Sequence, residues 1–177
     1  MKHAVVLLSG GLDSTVTVYY AHHQGYTVHA LTVDYGQLHA CEIEKATYTA
    51  RILQIEHRML PLTLPWKGSA LLDAAIPLPH FQESSPHAGI PATYVPARNT
   101  LFLAYALSWA EVLGAQSIFI GANQVDYSGY PDCRADYFTA LQNAFTLGTK
   151  CGSEGAPVTI EAPLLHLSKK EIVRLGI

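Results

Sequence analysis

The chain has 177 residues, 49% of them hydrophobic and 14% charged, with a formal net charge of −3. That length suits one domain with a sizeable core, and the charged fraction lies well below the usual quarter. No Lys/Arg-rich stripe is present and no apolar run reaches bilayer-spanning length, so neither a nucleic-acid face nor a membrane span is expected.

Taken in chain order, Ala4-Val5-Val6-Leu7-Leu8 reads as a buried first strand. Met1-Lys2-His3 before it leaves no room for a signal peptide. Ser9-Gly10-Gly11-Leu12-Asp13-Ser14-Thr15 follows, and Leu12, Val16, Tyr19 and Tyr20 then recur at helical spacing. A glycine-rich turn at a helix N-terminus binds anions, because free N–H groups and the positive end of the helix dipole meet there. Gly10 and Gly11 let the backbone come close to an anion, Ser9 and Ser14 add hydroxyls, and Asp13 either caps the helix or holds a metal ion. The loop is neither a Walker A loop nor a Gly-x-Gly-x-x-Gly fingerprint.

Gly25 ends the helix, and Thr27–Val33 predicts a second strand. Ile43, Ala46, Ala50 and Leu53 mark one face of a second helix, and Glu56–Leu60 is a short third strand. Residues 61–97 break the rhythm: they hold seven of the ten prolines and no sustained period, as a lid or substrate loop would. Leu101–Leu113 predicts a helix apolar almost all round, buried on more than one side and ended by Gly114. Ser117–Gly121 reads as a strand; Tyr137, Leu141, Ala144 and Phe145 as a helical face; Val158–Ile160 as a last strand. Ser168 and Glu171 form a capping box that opens a helix carrying Ile172 and Leu175. That helix stops after about two turns, and we expect the natural protein to continue.

Alternating strands and helices predict an α/β, Rossmann-like doubly wound parallel sheet with helices on both faces. In such sheets ligands bind beyond the carboxyl ends of the strands. The polar clusters Ser9–Thr15, Asp34-Tyr35-Gly36-Gln37 and Gly121-Ala122-Asn123 all fall at those ends. Cys41, Cys133 and Cys151 form no Cys-x-x-Cys pair, which excludes a disulfide framework and fits a reducing cytoplasm. The histidines, His22-His23 among them, show no metal-ligand spacing and read as surface or core residues. A surface so short of charge predicts a partner subunit over some apolar area.

The pattern Ser-Gly-Gly-x-Asp-Ser resembles the pyrophosphate loop of the ATP pyrophosphatases, the PP-loop or adenine nucleotide alpha hydrolase-like group. Three further segments narrow the resemblance to the 7-cyano-7-deazaguanine synthase family of queuosine biosynthesis. They are Val33-Asp34-Tyr35-Gly36-Gln37 (Val33 standing in place of a phenylalanine), Tyr94-Val95-Pro96-Ala97-Arg98-Asn99, and Asp126-Tyr127-Ser128-Gly129-Tyr130-Pro131-Asp132-Cys133-Arg134. The likeness runs over residues 1–177 as a single ATP-pyrophosphatase-type domain.

The resemblance implies conversion of 7-carboxy-7-deazaguanine and ammonia to the nitrile 7-cyano-7-deazaguanine at the expense of ATP, with Mg²⁺. Adenylation turns a carboxylate oxygen into a good leaving group, ammonia displaces AMP, and a second activation dehydrates the amide. Leu8, Ser9, Gly10, Gly11, Leu12, Asp13, Ser14 and Thr15 would hold the ATP phosphates, with Asp13 reaching Mg²⁺. Val33 and Asp34 would border the adenine or ribose. Arg98 would take a phosphate or carboxylate, the alternative being a helix-start ion pair. Asn99 is read as a helix cap. Tyr94, Asp126, Tyr127, Tyr130, Asp132, Cys133 and Arg134 would shape the deazaguanine pocket, and Asp13, Arg98 and Asp132 are the candidate catalytic residues. Cys133 reads as a packed thiol rather than a nucleophile, because no base can be assigned to it.

The family carries a zinc-binding cluster of four cysteines towards the C-terminus, beyond Ile177, and the three cysteines present do not replace it. Small-molecule substrates and a homodimer are the expected partners. The rival readings are a tRNA-thiolating relative, which would need extra cysteines or a basic surface, a non-catalytic nucleotide-binding fragment, and a member recruited to modify another macromolecule.

Overall fold

A computed structural model describes residues 1–36, 41–66, 69, 71–72, 90–123 and 129–177. Five strands, β1 (Lys2–Leu7), β2 (Tyr26–Asp34), β3 (Glu56–Pro61), β4 (Ser117–Phe119) and β5 (Thr159–Glu161), form one parallel sheet of order β3-β2-β1-β4-β5. The helices are α1 (Leu12–His23), α2 (Cys41–Ile52), α3 (Arg98–Leu113), α4 (Ala135–Gly148), α5 (Lys150–Ser153) and α6 (Lys169–Leu175), with a 3₁₀ turn at Pro131–Cys133.

The strand alternation decides which helix packs where. Ala4, Val6 and Leu8 face one way, with Val28, Ala30 and Phe119, against Val18 and Ala21 of α1 and Ala46 and Ala50 of α2. Val5, Leu7, Leu31, Val33 and Ile118 face the other way, against Leu103, Ala106, Leu107 and Ala110 of α3 and Phe138 and Phe145 of α4. The sheet is therefore covered on both faces, which explains the nearly unbroken apolar runs of β1 and β2.

Two expectations are corrected. Helix α3 begins at Arg98, three residues before the predicted start, and it buries one face only. Tyr105 and Val112 are exposed on its outer side, because one sheet face accounts for its buried stripe and no described element packs over the rest. The strand expected over Ser117–Gly121 is regular over Ser117–Phe119, and the Ile120 N–H still donates to the Glu161 carbonyl of β5 at 2.9 Å. Most of the expected 61–97 insertion, like Gln37, lies outside the described residues.

The terminal segment is docked rather than loose. Leu164, Leu167 and Ile172 pack on Val16 of α1, and α6 opens with the expected capping box of Ser168 and Glu171. No helix among the described residues is long and apolar enough to cross a membrane.

A side-chain relay links edge strand β3, β2 and the residue that follows β1, through His57, Thr32 and Leu8. The Thr32 hydroxyl donates to the Leu8 carbonyl at 2.6 Å and lies 2.8 Å from His57 Nε2. Since that hydroxyl proton is committed to Leu8, His57 must donate from Nε2. Burial holds the His57 imidazole below the ordinary histidine range. The folded state therefore resists a proton that the unfolded chain accepts at about pH 6.5, so stability is complete above that pH and falls as the pH drops through it. His57→Gln is expected to flatten this acid limb in urea titrations run between about pH 7 and pH 5.

Candidate active site

The loop after β1 is held by its own side chains. Ser14 Oγ accepts from the Ser9 N–H at 3.1 Å and the Gly10 N–H at 3.2 Å, and it donates to the Gly11 carbonyl at 3.1 Å. Ser9 Oγ lies 3.0 Å from the same hydroxyl. Gly10 has φ +89°, and a Cβ there would overlap the Glu42 carbonyl oxygen and lie 2.8 Å from Ala46 N. Helix α2 thus presses on the loop through the one residue that has no side chain. A Cβ at Gly121 would lie 3.0 Å from Ser14 N, so the end of β4 presses on the start of α1 in the same way.

Asp13 does not cap α1: the N-cap is Gly11, with no side-chain hydrogen bond. The Asp13 carboxylate points elsewhere. Its Oδ2 accepts from Asn123 Nδ2 at 3.1 Å and from Lys169 Nζ at 2.5 Å, while Oδ1 is buried and has no hydrogen-bond partner among the described residues. A buried carboxylate oxygen with no donor is a ready ligand for a hard cation.

Across the cleft, Arg98 opens α3. Its guanidinium reaches the Tyr35 hydroxyl at 3.4 Å. Burial pulls the guanidinium toward neutrality, but Tyr35, Asp132 and Cys133 outweigh it and hold Arg98 charged. None of the ion pairs found among the described residues involves Arg98, so its charge is available to the cleft.

Asn99 is not a cap but is itself capped. Its backbone N–H donates to Asp132 Oδ2 at 3.1 Å, and its Nδ2 donates to the Asp132 carbonyl at 3.0 Å and to Cys133 Sγ at 3.1 Å. The buried Asp132 carboxylate therefore complements the positive end of the α3 dipole and ties the turn at Pro131–Cys133 to Arg98.

An open cleft of about 240 Å³ joins these groups; Leu8, Ser9, Gly11, Asp13, Ser14, Val33, Arg98, Tyr130 and Cys133 all line it. The other predicted residues lie off that lining. Leu12 is exposed, and Asp34 is the exposed last residue of β2, whose Oδ1 accepts from Gly36 N at 3.2 Å. Tyr94 accepts from the Ala97 N–H at 3.2 Å and packs against Tyr130, and Arg134 is exposed at the N-cap of α4. Asp126 and Tyr127 lie outside the described residues. Tyr35, Glu42, Asn123 and Lys169 belong to the site although none was assigned a role from sequence. Asn123 had a signal, its place at a strand end, but Lys169 had none beyond its capping box.

A parallel sheet of order β3-β2-β1-β4-β5, with a Ser-Gly-Gly-x-Asp-Ser loop and a part-buried arginine at one end, defines an adenine-nucleotide-binding protein of the ATP-pyrophosphatase class. The family model described as queuosine biosynthesis protein QueC matches residues 3–177, and the chain belongs to that family. It is 54% identical over 175 residues to a 7-cyano-7-deazaguanine synthase of Thiobacillus denitrificans, covering 98% of this chain and 76% of that one. Two solved structures share the fold. A predicted subunit of a tRNA methyltransferase from Methanocaldococcus jannaschii aligns at TM-score 0.61 and 18% identity, over 99% of this chain and 74% of the other. A 4-thiouridine synthetase in complex with RNA and bound ATP aligns at TM-score 0.54 and 21% identity, over 99% of this chain and 40% of the other.

Gly10→Ala is expected to cost more than about 1 kcal/mol, because the added methyl meets backbone rather than a movable side chain. Chemical denaturation measures that loss, and the same variant should bind ATP more weakly by calorimetry.

Proposed function

We propose that the chain converts 7-carboxy-7-deazaguanine, ammonia and ATP to 7-cyano-7-deazaguanine. The observation that carries this reading is the full-length family match, joined to a single cleft that holds the phosphate loop, Arg98 and Cys133. A carboxylate oxygen of the substrate attacks the α-phosphorus of ATP and pyrophosphate leaves. Ammonia adds to the acyl adenylate, and AMP departs with the C–O bonding pair to give the amide. Adenylation of the amide oxygen with release of pyrophosphate, followed by loss of AMP and of both amide protons, gives the nitrile.

Ser9, Gly10, Gly11 and Ser14 form the phosphate cradle, with N–H groups and the α1 dipole opposing the phosphate charge. Arg98 holds the substrate carboxylate or the α-phosphate and stabilises the charge that develops between them. Asp132 acts on Arg98 by fixing the start of α3, a positioning role in place of the catalytic role expected from sequence. Tyr130 and Cys133 border the deazaguanine. Val33 lies at the second strand end, where the base of the nucleotide is expected.

The residues fit Mg²⁺: Asp13 Oδ1 is buried and unpartnered beside the cradle. Bound there, the ion would neutralise phosphate charge and activate pyrophosphate as a leaving group. The residues present do not fit zinc. Cys41 is exposed, Cys133 is buried and Cys151 lies on α5, and among the described residues no group of three His, Cys, Asp or Glu side chains is arranged around a metal. A homodimer and a cytoplasmic location remain part of this proposal, supported by the exposed Tyr105 and Val112 on α3 and by three cysteines that form no disulfide among the described residues.

Mass spectrometry of the chain incubated with MgATP, ammonium and 7-carboxy-7-deazaguanine tests the reading. AMP with amide and then nitrile is the expected outcome, and absence of both AMP and amide refutes it. Asp13→Asn should lower the rate by roughly 10²-fold or more while leaving the fold intact.

A further inference from the structure

Glu42 is a second carboxylate in the cleft, and no role was assigned to it from sequence. It stands in the first turn of α2, whose contact with Gly10 fixes its backbone against the phosphate loop. Its side chain lines the same cleft as Ser9, Asp13 and Arg98, and Oε1 lies 4.0 Å from where a Cβ on Gly11 would stand. The two carboxylates differ in their surroundings. Asp13 is matched by Lys169, whereas the Glu42 side chain has no hydrogen bond or ion pair among the described residues. An unmatched anion beside a loop built for phosphates repels its own ligand unless a cation joins them.

The proposed reaction supplies such a cation. Its nitrogen donor is ammonium at neutral pH, with four N–H groups to give and one proton to lose before it can attack. We propose that Glu42 is the ammonium-receiving residue of the cleft, an assignment that rests on the ammonia-consuming reaction above. The carboxylate accepts an N–H hydrogen bond and then the proton. The freed ammonia forms the C–N bond at the acyl adenylate, and the C–O bond to AMP breaks with its electron pair on the phosphate oxygen. The added nitrogen then loses its surplus proton to solvent.

The test separates the half-reactions. Adenylation alone is followed by exchange of labelled pyrophosphate into ATP, with 7-carboxy-7-deazaguanine present and ammonium absent. Amide formation is followed against ammonium concentration. In Glu42→Gln, exchange should stay within about threefold of the unaltered chain, while amide formation at low ammonium falls by roughly 10²-fold. Hydroxylamine, which is uncharged at neutral pH, should restore acyl capture to near the unaltered rate. Glu42→Asp, which keeps the charge one methylene back, should recover part of the ammonium KM. Exchange that is lost in Glu42→Gln but present in the unaltered chain overturns the assignment alone and gives Glu42 to the nucleotide or its metal. Unchanged ammonium dependence also overturns it. Absence of exchange in the unaltered chain overturns the reaction reading and this assignment with it.

Discussion

Helix α2 meets the phosphate loop so closely that residue 10 has no room for a side chain. That contact organises the whole site. The loop must turn sharply from β1 into α1, and a left-handed residue at position 10 allows the turn. The same residue lets α2 rest on the loop, which brings Glu42 to the cleft and closes the core formed by Val6, Leu8, Ala46 and Ala50. Packing on one face of the sheet and shape at its end are therefore one constraint. Gly121 repeats it from β4, against the first turn of α1.

Charge balance is the second organising feature. The loop offers N–H groups and a helix dipole to an anion, yet two carboxylates stand beside it. Lys169 and Asn123 hold one oxygen of Asp13, which leaves the other buried and ready for a cation. On the far wall Arg98 keeps its charge because Tyr35, Asp132 and Cys133 surround it with electron-rich atoms. Asp132 also sits at the positive end of α3, so the turn at Pro131–Cys133 is tied to the helix that presents Arg98. The Asp13 and Glu42 carboxylates and the Arg98 guanidinium thus line one small cleft.

Much of this was legible along the chain. The apolar period placed the strands and helices to within a few residues, and the Ser-Gly-Gly motif placed the loop between β1 and α1. The failures share a cause. Helix α3 starts at Arg98 because the Asp132 carboxylate, 33 residues away, supplies a cap that local pattern cannot reveal. Its outer face is exposed because burial depends on how many neighbours the fold provides, and composition does not count neighbours.

The sequence by itself determined the α/β class, the strand-end position of the phosphate loop and the family, because those depend on short-range period and on contiguous motifs. Only the tertiary structure decided the partners of the charges. Lys169 meets Asp13 across 156 residues because the terminal segment docks on α1 through Leu164 and Ile172, and Glu42 reaches the cleft because α2 lies on Gly10. Such pairings depend on how packed elements converge in space, which chain spacing does not encode.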